Sequence, residues 1–351
     1  IIAGYFTEYK GLSMNKIARV IIVETPITLT KTNYPRYKIF QRNGDNQYTF
    51  TLSGTYAGSC ASIEASFAGS SYSTIVASPA GGVFSGTLVG NVGQGSLSVR
   101  CTNNTSFPDS ALDIGIGDVY VVAGQSNAEG YGINAQSYTT TAPTSNILPT
   151  VYTEAGVWKV DDDSTDPGGG VGSVWPILGG YIVENSDVPV AFITTATAGK
   201  ALVNPTHWKK GGVTCIGATL NCFQNMVDQV TYSGVNAVKA VLWFQGETDA
   251  ANNVSEADYN TGLDQFAADV ATDLPGAPKV VAGAVGPWPS VFGTEKIRQA
   301  TIEAWEDNPD ILFGPQTYDY DILSDGIGDA FHFNTDVHIR SLGFRWWKAL
   351  Q

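Results

Sequence analysis

The sequence predicts an α/β protein built on a parallel sheet and preceded by a small all-β sandwich. Three observations point there. Residues 17–116 carry short segments of alternating polarity separated by turn residues. Beyond them the strand-like segments become continuously apolar and alternate with helical periodicities, the pattern of strands buried on both faces. The length, 351 residues, also exceeds the roughly 250–300 residues at which one hydrophobic core stops growing, so two units are expected.

In the first unit, residues 18–23, 37–41, 47–52 and 96–101 are rich in β-branched and aromatic side chains and read as strands. Arg42-Asn43-Gly44-Asp45, Gly69-Ser70-Ser71 and Pro79-Ala80-Gly81-Gly82 supply turn chemistry between them. The Pro-containing polar stretch 102–108 is where a linker is expected, which gives units of residues 1–112 and 113–351. In the second unit the apolar strands are 118–122, 188–193, 238–244 and 279–282. Helices are expected at 257–274, where Leu263, Phe266, Ala267 and Val270 recur three and four apart, and at 335–350, where Ile339, Leu342, Trp346 and Leu350 form one stripe. The sequence shows no internal repeat and no low-complexity tract.

Composition narrows the function classes. Lys and Arg number 19 against 33 Asp and Glu, a net charge of −14 that opposes nucleic-acid binding. No apolar run approaches the ~18 residues that span a bilayer, so membrane insertion is not expected. The chain opens Ile1-Ile2-Ala3-Gly4-Tyr5, without an initiator Met or a basic-then-apolar leader, so any signal peptide is expected to have been removed. The cysteines fall as two pairs, Cys60 with Cys101 and Cys215 with Cys222. Two local disulfides and an oxidising compartment, secreted or periplasmic, are the preferred reading; four buried thiols are the alternative. No Cys/His zinc spacing is present.

The chemistry concentrates in three blocks. Ala123-Gly124-Gln125-Ser126-Asn127 places a serine just past a strand's carboxyl end, where ligands bind in parallel sheets, and Ser126 is the nucleophile candidate. Its backbone N–H, at the start of a following helix, can point at a developing oxyanion. A serine hydroxyl needs a base, and the sequence offers only His207, His332 and His338. In Asp329-Ala330-Phe331-His332 the carboxylate three residues ahead can fix the imidazole tautomer that leaves Nε2 free, so His332 is the base and Asp329 the acid. His338 reads as a helix histidine and His207 as a loop histidine within reach of substrate. The third block, Trp243-Phe244-Gln245-Gly246-Glu247-Thr248-Asp249, brings the Gln245 side chain to another strand end as an oxyanion donor. The same block admits a glycosidase using Glu247 with Asp249, which leaves Ser126 and His332 without work.

Together, Gly124-Gln125-Ser126-Asn127, Trp243-Phe244-Gln245-Gly246-Glu247 and Asp329-Ala330-Phe331-His332 resemble the signature blocks of the SGNH hydrolase superfamily, in its sialate O-acetylesterase-like and carbohydrate acetylesterase branch. The resemblance covers about 113–350 and implies a three-layer sheet of flavodoxin type, hydrolysis of O-acetyl esters on sugars, and neither metal nor cofactor. It implies Ser126 as nucleophile, His332 as base and Asp329 as acid, with oxyanion donors from Ser126, Gln245 and a backbone glycine, here Gly172. Thr197-Ala198-Gly199-Lys200 departs from the family's double glycine, and Lys200 is positioned to meet an anionic sugar. Glu247, Lys200 and Trp208 are the expected substrate contacts. The α/β-hydrolase elbow Gly-x-Ser-x-Gly is excluded because its last glycine is Ala128 here.

Weaker signals are read plainly. The acidic run 161–166 and the trio Asp319, Asp321 and Asp325 are solvated acidic loops in preference to calcium sites, and Asn103, Asn104 and Asn253 begin formal glycosylation sequons. Trp158, Trp175, Trp208 and Trp288 lie in loop-like stretches, free to stack on sugars or to pack inward. The expected partner is an acetylated carbohydrate. A carbohydrate-binding or adhesion protein with an inactive hydrolase site is the remaining rival class.

Overall fold

The computed structural model describes residues 8–9, 12–13, 27–132, 134–141, 145–162, 172–215, 220–286, 293–319, 332–333 and 335–351. The expected strand at 18–23 lies outside the described residues. Glu8–Tyr9 (β1) and Leu12–Ser13 (β2) form a short antiparallel pair. Ile27–Leu29 (β3), Ile39–Gln41 (β4), Gln47–Tyr56 (β5), Ile63–Phe67 (β6), Ser73–Val76 (β7), Val83–Asn91 (β8) and Gly93–Cys101 (β9) follow.

Two antiparallel layers arise from these strands: β3-β5-β8, and β7-β6-β9, which continues onto Asn104–Gly124 (β10). Alternation decides which side faces inward. In β5 and β8, Phe50, Leu52, Phe84 and Leu88 are buried between exposed neighbours, and they share one core with Ile63, Ala65, Leu97, Val99, Ile114 and Ile116 of the other layer. Each of the Phe, Leu, Ile and Val side chains, fully buried, contributes about 1.5–3 kcal/mol of transfer free energy. The Cys60–Cys101 disulfide, with Cα atoms 5.4 Å apart, ties the end of β9 to the segment entering β6.

The linker expected at 102–108 is instead the turn between β9 and β10 and the first part of a 21-residue strand. Pro108 is accommodated because the β9–β10 register shifts between Asn104 and Asp109, an irregularity where a missing N–H is tolerated. β10 changes character along its length. Up to Asp113 most residues are exposed or half-buried, whereas every residue from Ile114 to Gly124 is buried.

The elements that follow are Ser126–Glu129 (α1), Thr150–Tyr152 (β11), Trp158–Val160 (β12), Trp175–Ser186 (α2), Val190–Thr194 (β13), Cys222–Ser233 (α3), Ala240–Phe244 (β14), Glu247–Ala251 (α4), Glu256–Asp273 (α5), Lys279–Ala284 (β15), Thr294–Asp307 (α6), Ile311–Gln316 (β16) and Asp336–Ala349 (α7). The second sheet runs β12-β11-β13-β10-β14-β15-β16, parallel throughout except for the antiparallel edge strand β12. Helices cover both of its faces. On β14, Trp243 packs on Phe266 of α5 (4.4 Å) while its neighbour Phe244 points the other way, to Trp346 of α7 (6.3 Å).

The two helices expected from periodicity are α5 and α7, each started by a side-chain cap. Ser255 accepts from the Asp258 N–H and Thr335 from the His338 N–H, and Leu263, Phe266, Val270, Ile339, Leu342 and Trp346 face inward. A second hydrophobic core results, distinct from the one between the first two layers.

After β10 the chain builds β11 to β13 on one side, then crosses to β14 on the other, so the order reverses at the β10–β14 pair. In open parallel sheets a crevice forms outside the carboxyl ends of the strands at such a switch point. Gly124 ends β10 directly beside Phe244, the end of β14.

Candidate active site

Close approach of these two strand ends shapes the site. Gly124 has φ +136°, and a Cβ there would lie 2.1 Å from the Phe244 carbonyl oxygen, so no residue with a side chain fits. The Gln125 N–H donates to that same carbonyl (3.1 Å), and the chain turns at once into α1 with Ser126 as its first residue. The far end of α1 is pinned as well. The indole N–H of Trp175 donates to the Ala128 carbonyl (2.6 Å), and the Gly130 N–H, in left-handed conformation, donates to Ser126 O. Ser126 is 8% exposed, and its backbone N–H donates to no partner among the described residues.

Asn127 joins the three sequence blocks. Its Nδ2 donates to Glu247 Oε1 (2.9 Å), and its Oδ1 accepts from the Phe333 N–H (3.3 Å). His332, one residue before that amide, is half-buried, and its ring stacks on Tyr131, centroids 5.3 Å apart. Phe333 stacks in turn on Phe244 at the end of β14. The histidine segment is thus held against both strand ends that carry the other two blocks. Asp329 lies outside the described residues. His338 is on α7, and its backbone N–H is taken by the Thr335 cap.

Glu247 opens α4 but does not face solvent. Burial pushes its carboxyl from the ordinary 4.5 up to about 7, with the Asn127 hydrogen bond working in the opposite direction. Oε2 is buried without a hydrogen-bond partner among the described residues, and the lack of solvation favours the neutral acid. This carboxyl, expected at the substrate, braces Asn127.

Two expected oxyanion donors are committed elsewhere. Gln245 is fully buried, and its Nε2 donates to Gln125 Oε1 (3.1 Å), Asp249 Oδ2 (2.8 Å) and the Lys200 carbonyl (3.3 Å), while Tyr259 donates to its Oε1 (3.0 Å). The side chain therefore orders the floor of the crevice, and its amide hydrogens are occupied. At Gly172 the N–H donates to Gly130 O (3.0 Å) and the carbonyl accepts from Gly132 N–H (2.8 Å). A Cβ there would meet Asn134 O at 2.2 Å, so this glycine permits close strand approach.

The chain's kinship is evident from the segment holding these blocks. Residues 116–349 match the family model for SASA, carbohydrate esterase, sialic acid-specific acetylesterase, over well above half the chain. The chain belongs to this carbohydrate esterase family. It is accordingly a carboxylic ester hydrolase of sialate O-acetylesterase type, and the family implies an acetylated carbohydrate as substrate. Its fold is similar to that of XAC1771, a carbohydrate acetylesterase from Xanthomonas citri (TM-score 0.56, 18% identity, covering 92% of this chain and 74% of that one). It is also similar to the Arabidopsis thaliana protein AT4G34215 (TM-score 0.51, 18% identity, 66% and 97%). Among curated proteins no sequence matches it.

In this esterase Asp249 is fully buried and accepts from the N–H groups of Leu202 (2.7 Å), Val203 (3.0 Å) and Asn204 (3.0 Å). Burial raises its pKa while those amides lower it. It is a staple for the 201–204 loop with no face toward a ligand, which removes the geometry a Glu247/Asp249 glycosidase requires. Trp208, expected at the substrate, is fully buried, edge-on to Trp243 (5.2 Å) and Phe266 (6.2 Å), and is corrected to a core residue. Trp158 and Trp175 are likewise buried, and Trp288 lies outside the described residues. Lys200 is half-buried near His207, whose pKa is lowered first by burial and then by that lysine. His207 Nδ1 accepts from the Ala201 N–H (3.2 Å), which makes it a loop brace.

Asn127 is the residue that motif reading left without a role, and Asp249 was read only as a glycosidase carboxylate. The signal for Asn127 was present: a short carboxamide, donor and acceptor at once, next to the nucleophile candidate.

Proposed function

We propose that this esterase is a secreted or periplasmic serine enzyme that removes acetyl groups from sialic acid or another O-acetylated glycan. The Ser126 Oγ lone pair attacks the acetyl carbonyl carbon while His332 Nε2 takes the hydroxyl proton and Asp329 holds the imidazole. The tetrahedral oxyanion is met by the Ser126 N–H, the donor left open at the start of α1. Collapse breaks the bond to the sugar oxygen, which leaves with the proton from His332. A water then repeats the sequence on the acetyl-enzyme, releasing acetate and regenerating Ser126.

The observation that supports this reading best is the joining of the serine and histidine blocks through the Asn127 to Phe333 hydrogen bond and the Tyr131–His332 stack, at the switch-point crevice. The two disulfides support an oxidising compartment. Treatment with a fluorophosphonate followed by peptide mapping tests the nucleophile. Label is expected on Ser126 and is expected to vanish in Ser126→Ala and His332→Ala; label on another residue, or none, contradicts the proposal.

A further inference from the structure

A cleft of about 650 Å³ separates the first strands from the α/β unit, away from the catalytic crevice. Lys38 on its wall is bonded through its carbonyl to the N–H of Gly115, nine residues before Gly124, or about 30 Å along β10 at 3.3 Å per residue. The cleft is preformed. Lys38 Nζ reaches across to the Gly234 carbonyl (2.6 Å), and Gln41 and Asn236 exchange two hydrogen bonds over the same junction (2.9 and 3.0 Å).

Two features of the lining point to a ligand class. Tyr48 and Tyr232 supply aromatic surface, Tyr232 being 70% exposed at the rim, while Tyr152 and Trp158 line the cleft as buried residues. Arg36 and Lys38 supply two cations, and among the described residues no Asp or Glu lines the cleft, although the chain as a whole carries −14. Lys38 is 4% exposed and has no ion-pair partner among the described residues; burial pulls its pKa down to about 8. Arg36 uses Nε for Asp113 (2.7 Å), while its terminal nitrogens make no hydrogen bond among the described residues.

We propose that this cleft is a second, non-catalytic saccharide site for a sugar bearing a carboxylate, the ring stacking on Tyr232 and its neighbours and the carboxylate meeting Arg36 and the field of Lys38. The choice of a sugar rests on the carbohydrate substrate of the proposed function; the choice of charge rests on the cleft.

Calorimetric titration of the full chain with sialyllactose, trigalacturonate and lactose tests it, with Ser126→Ala, Arg36→Ala and Tyr232→Ala titrated alongside after equal melting temperatures have been verified. Millimolar binding of an acidic sugar is expected, with lactose at least about tenfold weaker, binding unchanged in Ser126→Ala, and a loss of about tenfold in each cleft variant. Whether sialyllactose or trigalacturonate binds identifies the source of the carboxylate. Lactose binding as tightly, no binding of either acidic sugar, or binding indifferent to Arg36→Ala and Tyr232→Ala overturns the proposal. Acetate release assayed on the same preparations separates this from a failure of the esterase reading, which would abolish release and leave binding intact.

Discussion

Asn127 carries a donor NH2 and an acceptor carbonyl on a short side chain, and both are engaged by groups far away in sequence, Glu247 and Phe333. Removing it breaks a buried hydrogen bond to each of them, at about 1–3 kcal/mol for each group left unsatisfied. It also frees the segment that presents His332. Asn127→Ala is expected to lower kcat about a hundredfold with KM nearly unchanged, the effect of misplacing a proton acceptor that does not itself bind substrate. Steady-state kinetics on an aryl acetate measure the split, and a change confined to KM contradicts a positioning role. Glu247 gives a pH signature. Because burial raises its pKa from 4.5 to about 7, the folded protein keeps a proton that the unfolded chain releases between those values. Unfolding free energy therefore falls as pH rises through that window and levels off above it. Relative to Glu247→Gln, which has no such proton, the wild type should lose up to about 3 kcal/mol across the window. Urea unfolding of both proteins at about pH 4.5, 6 and 8 reads the difference, and a gap constant with pH contradicts a buried, protonated Glu247.

Among the elements, β10 decides how the molecule is put together. The sequence change from alternating to continuously apolar residues was legible, but it marks a change of surroundings along one strand: one face covered before Asp113, both faces from Ile114 onward. Pro108 and its polar neighbours read as a linker because their pairing with β9 is irregular and exposed. The strands at 118–122, 238–244 and 279–282 and the helices α5 and α7 were legible for the opposite reason, since burial on a fixed period is a local property. Trp208 was misread for a reason that locality explains. The loop carrying it is drawn inward by Asp249, whose carboxylate takes the amides of Leu202, Val203 and Asn204 from more than 40 residues away. No pattern near Trp208 announces that contact. Because β10 pairs with β4 and β9 before entering the parallel sheet, a chain beginning at Asp113 would lose those partners and uncover Ile114 and Ile116, both fully buried. Such a truncation is expected to be insoluble or aggregated on expression, as read by size-exclusion chromatography. A monodisperse, active fragment would show that the first strands are dispensable to the second core.

At the scale of the whole molecule, the two units we propose, residues 1–112 and 113–351, meet along β10, which contributes to both hydrophobic cores, Ile114 and Ile116 to the first and Val119 to Ala123 to the second. The catalytic blocks gather at one end of the parallel sheet because the strand order reverses between β10 and β14, and the glycine at the end of β10 permits the close approach that presents Ser126. The serine and histidine blocks were legible as motifs; the Asn127, Tyr131 and Phe333 contacts that bring them together were not, because they depend on which strands become neighbours. The contacts of Gln245 and Gly172 were not legible for a similar reason. Gln245 and Gly172 have suitable chemistry, but other groups occupy their N–H donors in the folded chain. The central claim is that Ser126 carries out deacetylation of a sugar, and acetate release from an O-acetylated sialic acid and an acetylated xylo-oligosaccharide, wild type beside Ser126→Ala, tests it most directly. Release by the wild type from at least one of these, lowered about 10⁶-fold in the variant, is the predicted result. Equal release by both proteins, or none from either sugar, would contradict it.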